Sequence, residues 1–289
     1  MPSDADQLAS RRRFLQFLAA SPLLATSDLA AWAAERPGLL PDPMVWAPRT
    51  LDKLISNPKE AINVFDFEAV MQKNVPPAHF GYMASGIDDE VTLRANREGF
   101  LKYQLRPRRL VDVSKVDMSV DLLGTKFDSP IIIAPTGGHK GYHADGEEGV
   151  ARAAKTGDHL QILSTQATTS IKDTIAARGK PIWYQLYATN KFEVAKHHVQ
   201  SAENQGATVV AITVDRSGGR NQEALARLMK SDTRDCKGCH DNSSLAAQQK
   251  SKPIYEGADL TGLTNIQSSA MSWDYAKRIR DATKMKVLL

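Results

Sequence analysis

Short apolar runs alternate with helical patterns between residues 130 and 214, and this alternation constrains the fold more than any other feature of the chain. The apolar runs occupy residues 130–134, 160–163, 182–186 and 209–214. Helical patterns lie between them, at residues 147–156, 171–178 and 192–205, and a glycine follows each one. Glycine just past the last helical residue is a common helix stop. Buried strands that alternate with helices predict βαβ units and a parallel sheet.

Polar residues cluster directly after each apolar run, at the expected carboxyl end of the strand. Ser164, Tyr187 and Asp215 are examples. An α/β barrel places its chemistry at this end of its strands. A doubly wound sheet would show the same alternation, but it usually carries a GxGxxG loop after its first strand, and residues 135–139 read PTGGH. We therefore predict an α/β fold of the (βα)8 TIM-barrel class.

The remaining elements are less regular. Apolar spacing predicts further helices at residues 66–73, 77–85, 90–103 and 273–283, and a strand at 286–289. The polar stretch between the last two strands is too long for an ordinary connection, and we interpret residues 221–270 as an insertion. The net charge of +4 is too small to indicate binding to nucleic acid.

The N-terminus has the parts of an export signal. These parts are the positive group Arg11-Arg12-Arg13, an apolar run at residues 14–25 and a small-x-small site at Ala31-Trp32-Ala33. They predict a secretory signal over residues 1–34, of the twin-arginine type that exports folded proteins, and a tether over residues 35–63. The alternative is an ordinary amphipathic N-terminal helix. Outside this segment no uncharged apolar run reaches membrane-spanning length, so we predict a periplasmic protein without a transmembrane span.

Seven short motifs occur in an order that is similar to one enzyme family. They are Tyr82-Met-Ala-Ser-Gly86, Asp89-Glu90-x-Thr-Leu93, Asn96, Leu105-Arg-Pro-Arg108, Ile133-Ala-Pro-Thr136, Gln185-Leu-Tyr187 and Thr213-Val-Asp215. Residues 64–289, apart from the insertion, resemble the FMN-dependent 2-hydroxy acid dehydrogenases and oxidases. The resemblance implies an eight-stranded barrel that holds FMN at the carboxyl ends of its strands.

The resemblance also implies which residues hold the cofactor. Pro135, Thr136 and Gly137 resemble the segment whose backbone lies along the flavin edge. Ser164, Gln185 and Thr213 resemble the side chains that hydrogen-bond the flavin ring. An isoalloxazine ring carries donors and acceptors around its rim, so a few fixed polar groups suit it. The alternative for Gln185 and Thr213 is a structural role at the strand ends.

The substrate residues follow from the same resemblance. Tyr82 and Arg220 resemble groups that bind the substrate carboxylate, and an arginine and a phenol can clamp such a group. Tyr187 resembles the active-site tyrosine close to the substrate hydroxyl. Asp215 resembles the carboxylate that orients the catalytic histidine, although an aspartate after a strand can also cap a helix.

The family pattern continues with a lysine, a His-Gly-Gly-Arg motif and a glycine-rich phosphate site. None of the seven histidines of this chain stands in such a motif. We therefore expect an incomplete barrel of four to five strands after a helical N-terminal extension. We expect this chain to be inactive alone, with a second chain or a homo-oligomer as ways to supply the other half.

The sequence CKGCH at residues 236–240 contains the two cysteines of the chain. Its spacing predicts a c-type haem, with thioethers to Cys236 and Cys239 and with His240 as an axial ligand. A disulfide or two free thiols are the alternatives in an oxidising compartment. Zinc is a further alternative, but the motif supplies three ligands where four are usual.

These observations together predict an exported FMN-dependent L-2-hydroxy acid dehydrogenase that acts on a lactate-like substrate. An export signal favours a dehydrogenase over an oxidase, because a periplasmic enzyme can pass its electrons to a respiratory acceptor. The alternative is a non-catalytic electron-transfer module in which a haem at CKGCH is the functional centre.

Overall fold

The computed structural model describes residues 54–215, 221–234 and 243–289. The chain divides into two compact units, Met1–Val70 and Met71–Leu289. The described part of the first unit contains a 3-10 turn at Pro58–Glu60, where the Asn57 side chain accepts a hydrogen bond from the Lys59 N–H at 2.9 Å. The predicted signal and the helical N-terminal extension stay predictions, since residues 1–53 lie outside the described ranges.

The second unit is built on a parallel sheet. Its strands and those of a small hairpin are β1 (Val120–Leu122), β2 (Thr125–Phe127), β3 (Ile132–Ile133), β4 (Leu160–Ser164), β5 (Trp183–Leu186), β6 (Val209–Ile212) and β7 (Lys286–Leu288). The five strands from β3 to β7 lie side by side in chain order, and every pair is parallel. A doubly wound sheet reverses its order at a switch point, whereas a barrel wall does not. The α/β prediction is confirmed, and the sheet is consistent with an incomplete barrel.

Among the described residues, the α-helices in chain order are α1 (Asp66–Asn74), α2 (Pro77–Ala84), α3 (Val91–Glu98), α4 (Gly146–Thr156), α5 (Ile171–Arg178), α6 (Phe192–Asn204), α7 (Glu223–Ser231), α8 (Leu245–Lys250) and α9 (Trp273–Asp281). Helices α4 to α9 lie in the connections between successive strands of the parallel sheet. α5 shows how the sequence sets the ends. The Ser170 side chain accepts a hydrogen bond from the Asp173 N–H at its start, and Gly179 ends the helix with a φ of +79°.

The core lies between the sheet and its crossover helices. Tyr184 and Leu186 of β5 are fully buried there, together with Val199 of α6 and Ile279 of α9. A second, smaller cluster joins Phe127 of the hairpin to residues at the amino ends of the strands. Burial on both faces explains why these strands read as continuous apolar runs rather than as alternating patterns.

The polar stretch that we interpreted as an insertion is not a loop throughout. It contains α7, α8 and a 3-10 turn at Pro253–Tyr255, and Tyr255 and Leu263 belong to the main core. These elements are short, and the polar residues that surround them hid them in the sequence. The predicted helix over residues 90–103 also changes character, since α3 ends at Glu98 and a 3-10 turn follows at Gly99–Lys102.

The β1–β2 hairpin was not predicted either. Its turn is made by Leu123 and Gly124, and both have a positive φ, +53° and +79°. Such a turn suits the twist of two paired strands.

Within the described part of the chain, no helix is long and apolar enough to cross a membrane.

Candidate active site

Three polar side chains form a hydrogen-bonded row across the carboxyl ends of neighbouring strands. The Ser164 hydroxyl donates to Gln185 Oε1 at 3.0 Å, and Gln185 Nε2 donates to Thr213 Oγ1 at 2.8 Å. Ser164 ends β4, Gln185 lies in β5 and Thr213 follows β6, and the parallel register pairs Ser164 with Gln185. We call these three residues the polar row. The structure thus brings together the side chains that the sequence assigned to the flavin ring.

The polar row is mostly closed to solvent but keeps bonding capacity. Ser164 and Gln185 are 3% and 5% exposed. The Thr213 hydroxyl accepts from Gln185, and its own O–H is not taken up by any described residue. The Gln185 amide retains a second N–H and a second acceptor position. A planar ligand with donors and acceptors on its rim can therefore bond to this row.

The loop after β3, residues 135–140, lies against the loop after β4, residues 165–169. We call them the β3 loop and the β4 loop. The Gly138 N–H donates to the Gln166 carbonyl oxygen at 3.0 Å, and Gly138 has a φ of +72°. A Cβ on Gly137 would lie 2.6 Å from Gln166 Cβ, so only glycine fits there without a shift. Pro135, Thr136 and Gly137 are half-buried and begin this loop.

Tyr187 is held in place through its backbone. Its N–H donates to Thr165 Oγ1 at 2.9 Å, and the Thr165 hydroxyl in turn donates to the Gln185 carbonyl oxygen at 2.6 Å. The buried Tyr184 hydroxyl lies 3.1 Å from Thr165 Oγ1, and burial raises the pKa of Tyr184. Thr165 therefore fixes the position from which the half-buried Tyr187 side chain leaves the sheet.

Tyr82 lies on α2, which packs against α7. A Cβ on Gly81 would lie 2.7 Å from Leu228 Cδ1, so the two helices are in close contact. Beyond α2, the Asp88 N–H donates to the Asn221 carbonyl oxygen at 2.8 Å, and Asn221 Nδ2 donates to Asp88 Oδ1 at 3.1 Å. These two bonds hold Asn221, the residue next to Arg220, beside Asp88, which follows α2 in the chain. Arg220 itself lies outside the described residues.

The other assigned residues are placed less closely. Asp215 is exposed, two residues beyond Thr213 of the polar row. Cys236, Cys239 and His240 lie outside the described residues, so their role as haem ligands stays a prediction. Over residues 54–215, 221–234 and 243–289, no group of three or more His, Cys, Asp or Glu side chains is arranged to hold a metal ion.

Comparison with known proteins decides the family. Residues 71–289 match the family described as FMN-dependent dehydrogenase. The chain belongs to the FMN-dependent dehydrogenase family. Within this family it is 34% identical to glycolate oxidase 1 of Oryza sativa subsp. indica over 233 residues, which is 80% of this chain and 62% of the relative.

Solved structures support the fold. A flavocytochrome b2 variant with pyruvate bound is 27% identical, with a TM-score of 0.66 over 82% of this chain and 55% of that one. Lactate oxidase of Pediococcus acidilactici is 25% identical, with a TM-score of 0.62 over 78% of this chain and 59% of that one. The chain thus spans less than two thirds of the length of these relatives.

Several residues around the site were not singled out in the sequence. Thr165 directly follows Ser164 at the end of β4, and this position was a usable signal. The buried Glu147 accepts hydrogen bonds from both loops, but the sequence offers two adjacent glutamates at the start of α4 without showing which is buried. Lys252 donates a hydrogen bond to the Gln166 carbonyl oxygen, and no local sequence pattern predicts this contact, because only the fold brings the two residues together.

Proposed function

We propose that this chain takes part in the FMN-dependent oxidation of an L-2-hydroxy acid, lactate-like in size, to the 2-oxo acid. The polar row carries this proposal. In a chain of the FMN-dependent dehydrogenase family, three linked polar groups stand at the strand ends where α/β barrels place their sites. The names of glycolate oxidase and lactate oxidase among the relatives support a small 2-hydroxy acid as substrate.

The cofactor side consists of the polar row and the β3 loop. Ser164, Gln185 and Thr213 would bond the rim of the flavin ring. The backbone of Pro135, Thr136 and Gly137 would lie along its edge. When bound, FMN supplies a two-electron acceptor for the substrate α-carbon.

The substrate side consists of Tyr82, Arg220, Tyr187 and Asp215. Tyr82 and Arg220 would bind the substrate carboxylate, which fixes the orientation of the α-carbon. Tyr187 would lie beside the substrate hydroxyl. Oxidation to the 2-oxo acid removes the α-hydrogen with its electron pair, which the flavin would accept, and the hydroxyl proton. That proton would pass to a histidine that a second chain supplies and that Asp215 would orient and stabilise as imidazolium.

Location and electron acceptor are part of the same proposal. Export by the twin-arginine signal would place the protein in the periplasm, where a respiratory carrier would accept the electrons, so we favour a dehydrogenase. Replacing Arg11 and Arg12 by lysine should block export, and normal periplasmic recovery of the variant would contradict this assignment.

A haem stain on denatured periplasmic protein tests CKGCH directly, and an unstained band would exclude covalent haem.

We also propose that the chain is inactive alone. This proposal is motivated by the seven histidines, none of which stands in a His-Gly-Gly-Arg motif. Steady turnover of L-lactate or mandelate by the purified 289-residue protein, with FMN added, would refute it.

The decisive experiment is a titration of the purified protein with FMN, followed by flavin fluorescence. We expect saturable binding that weakens by about tenfold or more in Gln185→Leu, because this change removes both bonds of the polar row and leaves its partners unsatisfied. Gln200→Leu is the matched control on the exposed face of α6, and it should bind FMN normally. Equal FMN affinity in the unaltered protein and in Gln185→Leu would remove the polar row from the proposed site.

A further inference from the structure

The carboxylate of Glu147 is a buried charge that joins the β3 loop to the β4 loop. Glu147 lies in the first turn of α4 and its side chain is fully buried. Its Oε1 accepts hydrogen bonds from the backbone N–H groups of His139 at 3.2 Å and Thr168 at 2.9 Å. Its Oε2 accepts a hydrogen bond from the Thr168 hydroxyl at 2.7 Å. One side chain thus bonds both loops at once.

The two loops also bond to each other around this carboxylate. The Lys140 N–H donates to Thr168 Oγ1 at 3.1 Å, and the Gly138 N–H donates to the Gln166 carbonyl oxygen at 3.0 Å. Three successive N–H groups of the β3 loop, from Gly138 to Lys140, therefore end on the β4 loop or on Glu147. Of these three, the His139 N–H bonds Glu147 directly, and the acceptors of the other two lie on the β4 loop, which Glu147 holds through Thr168.

The carboxylate is held in its charged form. Burial acts to raise the pKa of Glu147, but the hydrogen bonds from Thr168 and His139 outweigh burial, so the pKa is lowered. On the same loop, Lys252 Nζ donates a hydrogen bond to the Gln166 carbonyl oxygen at 3.5 Å. Burial lowers the pKa of Lys252, and the charge of Glu147 opposes that shift. Hydrogen bonds to an ionised acceptor are stronger than those between neutral groups.

The β4 loop continues into the polar row. The Gln166 N–H donates to Ser164 Oγ at 3.1 Å, and Ser164 Oγ donates to Gln185 Oε1 at 3.0 Å. On its other side, Gln166 Nε2 donates to Gln249 Oε1 at 3.0 Å and to the Tyr255 hydroxyl at 3.2 Å. A shift of the β4 loop would therefore displace Ser164 of the polar row. It would also displace the β3 loop, because Gln166 is in contact with Gly137.

We propose that Glu147 is a positioning residue that fixes the backbone of the β3 loop relative to the polar row. It acts through the N–H groups of His139 and Thr168. The inference rests on the proposed function, because that function places the flavin edge beside the β3 loop. A glutamine at this position would keep the shape of the side chain but lose the negative charge that strengthens these hydrogen bonds.

The test uses the full 289-residue protein and its Glu147→Gln variant. Amide hydrogen exchange should be about tenfold faster at His139 and Thr168 in the variant, because their N–H groups lose a charged acceptor. It should also be faster at Gly138 and Lys140, whose acceptors lie on the β4 loop that Glu147 holds. FMN should bind about tenfold more weakly, and the visible absorption spectrum of the bound flavin should change. The spectrum reports the surroundings of the ring, so a residue that only stabilises the fold would leave it unaltered.

Glu148→Gln is the matched control. Glu148 occupies the same turn of α4 but is only half-buried, and its variant should match the unaltered protein in amide exchange, FMN affinity and flavin spectrum. Thr168→Val is a milder variant in case Glu147→Gln does not fold. It removes the hydroxyl bond to Glu147 and the acceptor of the Lys140 N–H, and it keeps the backbone bond from Thr168 to Glu147. The His139 and Thr168 amides and the flavin spectrum should therefore change by a smaller factor than in Glu147→Gln.

The outcomes are distinguishable. Unchanged exchange in the β3 loop, or an unchanged flavin spectrum, in folded Glu147→Gln and in Thr168→Val would overturn the inference. Failure of the unaltered protein to bind FMN would instead overturn the proposed function. In that event the exchange rates would still decide whether Glu147 fixes the β3 loop.

Discussion

The polar row of the cofactor side and Tyr82 of the substrate side are built on different parts of the fold. The polar row stands on adjacent parallel strands, and its members bond to one another in a nearly dry environment. Tyr82 stands on a helix and is 51% exposed, and Asp215 is exposed beyond a strand end. Strand ends fix side chains through the sheet, whereas the position of Tyr82 depends on how α2 packs on α7. Relatives named for glycolate and lactate are compatible with a constant cofactor side and an adaptable substrate side.

Breaking the contact between α2 and α7 should separate the two sides most strongly. In Gly81→Val the new side chain would meet Leu228, whose Cδ1 and Cβ lie 2.7 Å and 3.2 Å from an added Cβ. We expect a loss of about 2–3 kcal/mol in the free energy of unfolding from overpacking. FMN affinity should change little, whereas the FMN-loaded protein should bind pyruvate at least tenfold more weakly, as measured by the change in flavin absorption.

Gly99→Val is the control for this change, since a Cβ on Gly99 meets no atom within 4 Å. It should keep its stability to within about 1 kcal/mol and bind pyruvate normally. If Gly81→Val weakened FMN and pyruvate equally, the two sides would not be separable in the way that their contacts suggest.

Acid should weaken the support of the cofactor side through His198. This buried histidine on α6 packs edge-on against Tyr255, with ring centroids 4.4 Å apart, and no described residue bonds its ring nitrogens. Burial lowers the pKa of His198 to about 3, and the neighbouring His197 adds to the shift. Below its unfolded pKa of 6.5 the unfolded chain takes up a proton that the folded chain does not, so stability falls as the pH drops from about 6.5 towards 3.

At pH 5 this difference is on the order of 2 kcal/mol. Urea unfolding at pH 7.5 and pH 5 should show a smaller acid loss in His198→Leu than in the unaltered protein. His143 is exposed, and His143→Gln should keep the full pH dependence. An identical acid loss in all three proteins would mean that His198 is not the group that titrates.

The strands that carry the cofactor side were predictable because burial on both faces leaves short apolar runs that end in polar residues. Ser164 follows from this rule, Gln185 was assigned by the resemblance to the enzyme family, and Gly179 correctly marked the end of α5. The support of the site was not predictable, because Glu147 and Lys252 are distant in sequence and only the fold brings them to the same loop. α7 was missed for a related reason. Its Leu225 and Leu228 face Gly81 of α2, so its stability comes from a tertiary contact rather than from a long apolar pattern.

Within the cofactor side, the Thr165 hydroxyl tests how much rigidity the polar network supplies. Thr165→Val keeps the shape of the side chain but leaves the Tyr187 N–H without its acceptor and the Gln185 carbonyl oxygen without that donor. We expect a loss of about 1–2 kcal/mol in the free energy of unfolding and weaker binding of both FMN and pyruvate. Thr169→Val is the matched control, because the buried Thr169 hydroxyl has no hydrogen-bond partner in the described structure. Equal stabilities of the two variants would show that the hydroxyl bonds of Thr165 contribute nothing net.

The smallest effect should come from the exposed side-chain bond that holds the chain next to Arg220. Asn221→Ala removes the bond from Asn221 Nδ2 to Asp88 Oδ1 and keeps the backbone bond between the same residues. Because the lost bond is exposed, we expect a loss of only about 0.5 kcal/mol in the free energy of unfolding. Pyruvate should nevertheless bind a few-fold more weakly while FMN binds normally, since looser anchoring of residue 221 leaves the adjacent arginine less well placed for a carboxylate. A stability loss with unchanged pyruvate affinity would place Arg220 outside the substrate side, and the clamp would then have to rest on Tyr82 with a cation from elsewhere.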